Sequence, residues 1–514
     1  MMLTHGPAIE ETDHSTPREK SLNVALSGGG LRATFFAFGA ILYLLDSQDA
    51  RRIAAISSVS GGSIANGVLA DSNGFGNSEA SDATRERIAR ATWILSQRGA
   101  IFAPTLAKIF LVSIVSALAL SGFVALLPLI VLSVTGYSNS IPDVYTLAFP
   151  ALLIAVSLTV IYTLLAIPLA SWIPRKSSQI SAYERTVRYA ATGRTQNGSR
   201  SQKTQTQPVI QKRLHTLNST GVSHVFCATE LLSGQPVFMS NHLIDSPVFG
   251  SGPATMRLSH AIYASAAFPA VFPPLSVSTR SWRGMGDQAT RPPRLFLSDG
   301  GVFNNLATDW FDTNTPGGSG ATNAPSPANA DYLVVNASKP GRIKSRRSWI
   351  YGLHLPALWR AMVVMQENTV RPRISLLKGE EGTAIVDISE TPFALLERLM
   401  THSDRYVKLR ASRVASWLHE GRRENHWTNL ASESATVPTQ LERVAPTRAI
   451  HLLRHGYMNT AVAMSCLFGS YFTPQSGARG EEWFANLVES GAPKKLKHRR
   501  AALVQATSDP ATIS

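Results

Sequence analysis

Residues 53–65 read IAAISSVSGGSIA, and the order of letters here decides the fold. Ile53 to Val59 is a short apolar run of strand-forming character, and Gly61-Gly62-Ser63-Ile64-Ala65 opens a helical pattern, so Ser60 stands at a strand-to-helix junction. This is the form of a nucleophile elbow, in which a sharp turn lifts a serine Oγ clear of the backbone and the residues two before and two after must be small. Those residues are Ser58 and Gly62, giving SxSxG where GxSxG is usual. Ser57, Ser58 and Ser63 are nucleophiles on paper, but only Ser60 has strand, turn and helix in the right places around it. A serine- and glycine-rich helix start with no chemistry has the same letters, so the elbow needs partners.

Toward the N-terminus, Leu22 to Leu26 (LNVAL) reads as a strand, followed by Ser27, Gly28, Gly29, Gly30 and a long helical pattern ending near Asp46. Three glycines at such a junction leave backbone N–H groups free to face a negative centre. Gly28, Gly30 and Ala33 also satisfy GxGxxA, but a dinucleotide site needs an acid at the end of the second strand. That strand runs into Ser60, Gly61 and Gly62 instead, and Asp46 belongs to the helix end. Toward the C-terminus, Arg294 to Ala307 reads RLFLSDGGVFNNLA: a strand delivers Asp299 into a Gly300-Gly301 turn and presents its carboxylate at a strand end. Alone, DGG is an ordinary turn signal.

Together, the glycine-rich loop, the serine elbow 32 residues later and the strand-end DGG resemble the patatin-like phospholipase family. Ala264–Pro274 (ASAAFPAVFPP), Ala228–Gly234 (ATELLSG) and Tyr332–Ser338 (YLVVNAS) are similar to segments around the family's aspartate. VPTQLERV (437–444) and LLRHGYMNTAV (452–462) resemble C-terminal helices of bacterial members. The likeness covers roughly Leu22 to Gly99 and Val209 to Met464. Ser58 in place of the first elbow glycine and Ala33 in place of a glycine after the loop arginine depart from the pattern.

The alternation of strands and helices predicts an α/β class. The resemblance implies the detail: a patatin-like three-layer fold with a mainly parallel central sheet, helices on both faces and the active site at the carboxyl ends of the strands. It further implies a serine lipid acyl hydrolase with a Ser60/Asp299 dyad and no histidine. Gly28, Gly29, Gly30 and Gly61 are the implied oxyanion donors, with Gly62, Gly300 and Gly301 supporting and Arg32 bracing the glycine loop. Phospholipid is the implied substrate, and no metal or cofactor is expected. A Ser/His/Asp triad is the chemical rival, because His354, His402, His419, His426, His451, His455 and His498 follow Asp299, although none lies in a motif that demands a base. Other readings of the chain are a non-catalytic, membrane-anchored lipid sensor or effector and a lipid transacylase on the same dyad.

Hydropathy adds a second feature. No charge occurs between Lys108 and Asp143 or between Asp143 and Arg175, and Ile109–Val134 and Thr146–Ile173 are almost wholly apolar. As a helix the first stretch is about 39 Å long, enough to cross a hydrocarbon core of about 30 Å, so the sequence predicts a transmembrane hairpin inserted into the catalytic domain. Basic residues before the first span and after the second, with only Asp143 between, predict that both flanks are cytoplasmic. An ion-conducting hairpin is disfavoured because neither span holds an ionisable residue to line a pore.

The 514 residues carry 49 Lys and Arg against 34 Asp and Glu, a net charge of +15. Much of the excess sits beside the apolar spans, in Arg175–Arg213, with further runs at Arg342–Trp349 and Lys494–Arg500 outside it, which points to anionic lipid and not to nucleic acid. Two cysteines, Cys227 and Cys466, exclude a disulfide framework and a cysteine zinc cluster. The predicted organisation is a disordered arm at 1–20, with no signal peptide, and a first catalytic part at 21–100. The hairpin follows at 101–175, a basic polar linker at 176–208, and a second catalytic part at 209–340. A helical C-terminal part at 341–480 and a basic tail at 481–514 complete it. The helical pattern Leu355–Val370 reads as core packing or as a lipid-facing surface.

Overall fold

Strands β1 (Ser21–Leu26) and β2 (Ile53–Ser58) are buried along almost their whole length, the mark of parallel strands covered on both faces. They pair in parallel with each other and extend outward through β9 (Ala330–Asn336) and β10 (Thr383–Asp387) on one side and β3 (Ser223–Glu230) on the other. The computed structural model describes residues 20–70, 78–100, 176–193, 212–217, 221–269, 272–283, 292–311, 330–338 and, with short gaps, 368–470 and 480–493, besides isolated positions. The sheet order is β10-β9-β1-β2-β3-β4-β5-β6, where β4 (Pro236–Ser240), β5 (Leu243–Ser246) and β6 (Gly250–Pro253) form an antiparallel meander. β8 (Arg294–Asp299) pairs antiparallel with β3 and with β7 (Leu275–Ser278). The sheet is therefore mixed: five strands, β10-β9-β1-β2-β3, are parallel, as expected, and the half beyond β3 is antiparallel, with short turns connecting β3 through β6.

One consequence of the register positions the site. Along the same edge of β3, β2 ends with Ser58 opposite Phe226, and β8 arrives from the other direction to end with Asp299 opposite Ala228. The two strands meet end to end, so the residue after β2 and the last residue of β8 are brought together. On the other side of β2, β1 leads to β2 while the adjacent β9 leads to β10. The glycine loop after β1 thus stands where chain connections diverge, the place where open α/β sheets leave a crevice.

Helix α1 (Gly30–Asp46) is buried at every residue from Gly30 to Leu45. Its main partner is a helix near the far end of the described chain. With α2 (Gly61–Ala70), α3 (Ser78–Arg98), α4 (Leu258–Ser265), α5 (Pro392–Met400), α6 (Arg405–Gly421) and α7 (Glu424–Thr436) named in order, this partner is α8 (Pro446–Phe468). A Cβ on Gly39 would overlap the carbonyl oxygen of Leu453, and one on Gly456 would overlap that of Phe36, so the helices touch backbone to backbone. Tyr43 Oη lies 3.0 Å from Ser465 Oγ, and Tyr457 Oη donates to Asp46 at 2.6 Å.

Four expectations need correction or qualification. Residues 176–192, read as linker, are helical: Tyr183, Tyr189 and Ala190 are buried, and Tyr189 Oη donates to Gly491 O at 2.9 Å. The segment 437–444, likened to a helix, is not helical where described, because its carbonyls serve other elements. Val437 O accepts from Arg32 and Leu441 O from the Ala100 N–H. The basic tail begins with an amphipathic helix, α9 (Glu481–Ser490), whose Phe484 packs at 5.6 Å between ring centroids against Tyr457. The two predicted spans lie outside the described residues apart from single positions such as Leu126, Leu153, Ile154 and Ile161, which are helical and exposed. Among the described residues, no helix is long and apolar enough to cross a membrane. The arm at 1–19 and most of 355–370 also lie outside them.

Candidate active site

Ser60 has a φ of +52°, a left-handed backbone that a side-chain-bearing residue adopts only where its surroundings enforce it. The enforcement comes from α4: the Ser60 N–H donates to Ser265 O at 3.0 Å and reaches Ser265 Oγ at 3.3 Å. Two residues on, Ala267 O accepts from the Asp299 N–H at 3.0 Å and from Ser298 Oγ at 2.8 Å. The Ser265–Ala267 segment therefore clamps both strand ends, which explains why small residues fill this part of ASAAF.

Asp299 is buried, and Ser60 is partly exposed. The Ser60 side chain lies beside the Asp299 carboxylate and favours its charged form. On the other side, Gly301 N–H donates to Asp299 Oδ1 at 2.7 Å, and the Gly300-Gly301 turn thereby fixes the carboxyl orientation. Burial pushes the carboxyl up from 3.8 to about 6, against the opposing pull of the Gly301 N–H and the Ser60 side chain. A carboxylate in that range is ionised at neutral pH yet basic enough to accept a proton in a transition state.

The glycine loop lies directly over the elbow. A Cβ on Gly61 would overlap the carbonyl oxygen of Gly30, and one on Gly28 would overlap Asn305 Oδ1 and stand 3.2 Å from Ser60 Cβ. Among the described residues the N–H groups of Gly29, Gly30 and Gly61 have no acceptor, whereas Gly28 N–H donates to Asn305 O at 2.9 Å. Gly28 is thus needed for close approach, while the other three amides remain available to a developing negative charge. Arg32 is buried and its Nη1 donates to Val437 O at 3.1 Å, tying the first turn of α1 to the chain after α7.

Ser58 does not crowd the elbow. Its hydroxyl donates to Val225 O at 2.9 Å and accepts from Ser63 Oγ at 3.0 Å and from Asn66 Nδ2 at 2.9 Å. Ser63 Oγ lies 2.7 Å from Ser265 Oγ, and Asn66 Oδ1 lies 2.7 Å from His224 Nδ1. Burial holds His224 down at about 3, so it is neutral. A buried polar network thus occupies the space below the turn, where the usual glycine leaves room. Sequence reasoning missed Ser265, Asn66, His224 and Asn305, whose side chains meet partners distant in the chain or, for Asn66, also one behind a motif position. The unusual Ser58 was the one signal available.

Of the histidines considered as bases, His455 is buried in α8 with Nε2 2.9 Å from Glu390 O, and burial lowers it to about 4. His451 pairs with Glu433 and Glu481, and His402 Nδ1 accepts from the Asp404 N–H. None of these three has Ser60 or Asp299 as a partner. His354 and His498 lie outside the described residues, as do the side chains of His419 and His426.

A partly exposed serine in a strained turn, beside a buried carboxylate and under open amides, is an arrangement suited to attack on an acyl carbonyl. The patatin-like phospholipase description matches residues 24–311, more than half the chain, and the chain belongs to that family, whose members are carboxylic ester hydrolases. Solved structures similar to it include human GIVD cytosolic phospholipase A2 (12% identity over 92% of this chain and 63% of that one, TM-score 0.37). Another is VipD from Legionella pneumophila (11% identity over 93% and 92%, TM-score 0.24). The chain thus spans 63% of the length of the human protein. No curated protein matches it.

Proposed function

We propose that this protein is a serine lipid acyl hydrolase that cleaves phospholipid esters through Ser60 and Asp299. The observation that carries the reading is the end-to-end meeting of β2 and β8, which sets a serine at positive φ beside a buried aspartate raised to about 6. In the first half-reaction Asp299 accepts the Ser60 proton as Oγ attacks the ester carbonyl carbon. The tetrahedral oxyanion lies among the amides of Gly29, Gly30 and Gly61, and one such donor contributes about 3 to 4 kcal/mol to catalysis. Collapse breaks the C–O bond, and the protonated Asp299 returns its proton to the departing lysolipid alkoxide. In the second half-reaction Asp299 deprotonates water, which releases the fatty acid and restores the serine.

Two uncharged stretches and their basic flanks support a membrane-anchored form with its catalytic domain on the cytoplasmic side. Anionic lipid at the basic segments is part of the same reading. A fluorophosphonate should label Ser60, read as a modified peptide by mass spectrometry. Labelling that persists in Ser60→Ala would move the nucleophile elsewhere.

A further inference from the structure

The turn after β3 and the exposed face of β8 carry a cluster of apolar side chains that nothing in the catalytic cycle uses. Leu231 is 50% exposed, Leu232 70%, Phe296 48% and Val302 39%. Single exposed apolar residues are ordinary, but a contiguous group is not. Register makes these contiguous. Glu230 pairs with Leu297, and Leu231 N–H donates to Phe296 O at 3.0 Å, so Leu231 and Phe296 are cross-strand neighbours on one face. The Phe303 N–H donates to Thr229 Oγ1 at 3.2 Å, and Thr229 shares that face with Leu231, which brings the Val302-Phe303 turn to the same side.

The turn is built to hold its leucines outward. Glu230, itself fully buried, accepts from the N–H groups of Leu232 and Ser233 at 3.0 and 2.7 Å and from Ser233 Oγ at 2.9 Å. Its carboxylate is thus turned inward and presents no negative charge to a partner. Charge of the opposite sign lies alongside: exposed Arg294 stands two residues before Phe296 on the same face, paired with Ser278 of β7, and exposed Arg280 follows two residues after Ser278.

We propose that Leu231, Leu232, Phe296 and Val302, flanked by Arg294 and Arg280, form the surface with which this protein docks on an anionic phospholipid bilayer. The inference rests on the lipid hydrolase reading, because a bilayer is the occupant that both the site and the surface require. Leu231 is three residues from Ala228, the partner of Asp299, so the patch begins about 10 Å along the strands from the dyad. Aliphatic and aromatic side chains beside arginines match a bilayer's apolar interior and anionic headgroups together.

The test uses the full chain with a polarity-sensitive fluorophore on Leu232→Cys; Cys227 and Cys466 are buried, so the label goes to the new position. A label on Glu397→Cys, an exposed position of α5, is the control. With phosphatidylcholine/phosphatidylglycerol vesicles carrying nitroxide on the acyl chains, the label at 232 should shift to the blue and be quenched, and less so in Arg294→Gln/Arg280→Gln. The control should not change. Leu232→Gln/Phe296→Gln should lower hydrolysis of vesicle phospholipid about tenfold and leave that of a soluble p-nitrophenyl butyrate monomer within about twofold, since partitioning of apolar side chains supports only the first. An unquenched label at 232, or a shift produced by raising protein concentration without vesicles, would overturn the proposal; the latter would assign the patch to a second copy. If the unaltered chain hydrolyses neither substrate, the hydrolase reading fails, while the label still reports whether the patch meets lipid.

Discussion

As the proposed base, Asp299 has a carboxyl whose burial carries a cost. It must be ionised to act as base, so kcat/KM should rise as pH increases through about 6 and level off above it, a limb readable in a pH–rate profile. The same shift has a stability consequence of determined sign. Because the folded carboxyl is raised from 3.8 by burial, its favourable contribution is complete below about pH 4 and is lost as pH climbs through about 6. Asp299→Asn keeps an acceptor for the Gly301 N–H and removes the buried charge, so the variant should melt a few degrees above the wild type at pH 8 and level with it at pH 4. Equal melting at both pH values would contradict the buried-charge account. Ser60 and Asp299 were legible in the sequence because each lies at a strand end marked by glycines. The clamp from Ser265 and Ala267 was not, since it is made by carbonyls, whose partners leave no residue-type signature.

At the scale of elements, the β1-loop-α1 and β2-elbow-α2 units were readable from a short apolar run followed by helical periodicity. The end-to-end meeting of β2 and β8 was not readable, because antiparallel pairing of β8 on β3 depends on register over distant residues. The helical face of residues 176–192 was obscured by its basic composition, which drew the whole segment into a linker. Helix α8 was visible only as a likeness, and its contact with α1 was not visible at all. Its physical basis is the reciprocal Gly39 and Gly456 approach, which sequence periodicity does not encode. Gly456→Ala should therefore destabilise the fold by about 1–3 kcal/mol, as overpacking does, read as a lower denaturant midpoint. It should also lower kcat, since α1 begins in the glycine loop. A variant as stable as the wild type would show that the helices can separate without cost.

In the whole molecule, a patatin-like domain is interrupted by two uncharged stretches whose placement was read from sequence alone. Their basic flanks predict that Ser138→Cys, between the stretches, reacts with an impermeant thiol reagent applied outside intact cells and that Ser201→Cys does not. The reverse pattern would put the catalytic domain on the other side. The central claim, that Ser60 and Asp299 together hydrolyse lipid esters, is tested most directly by lipid mass spectrometry of phospholipid vesicles exposed to the full chain. Wild type should release fatty acid and lysolipid, Ser60→Ala should not, and Asp299→Asn should fall by about 10²- to 10⁴-fold, the scale of a lost general base. Release by Asp299→Asn at the wild-type rate would contradict the dyad.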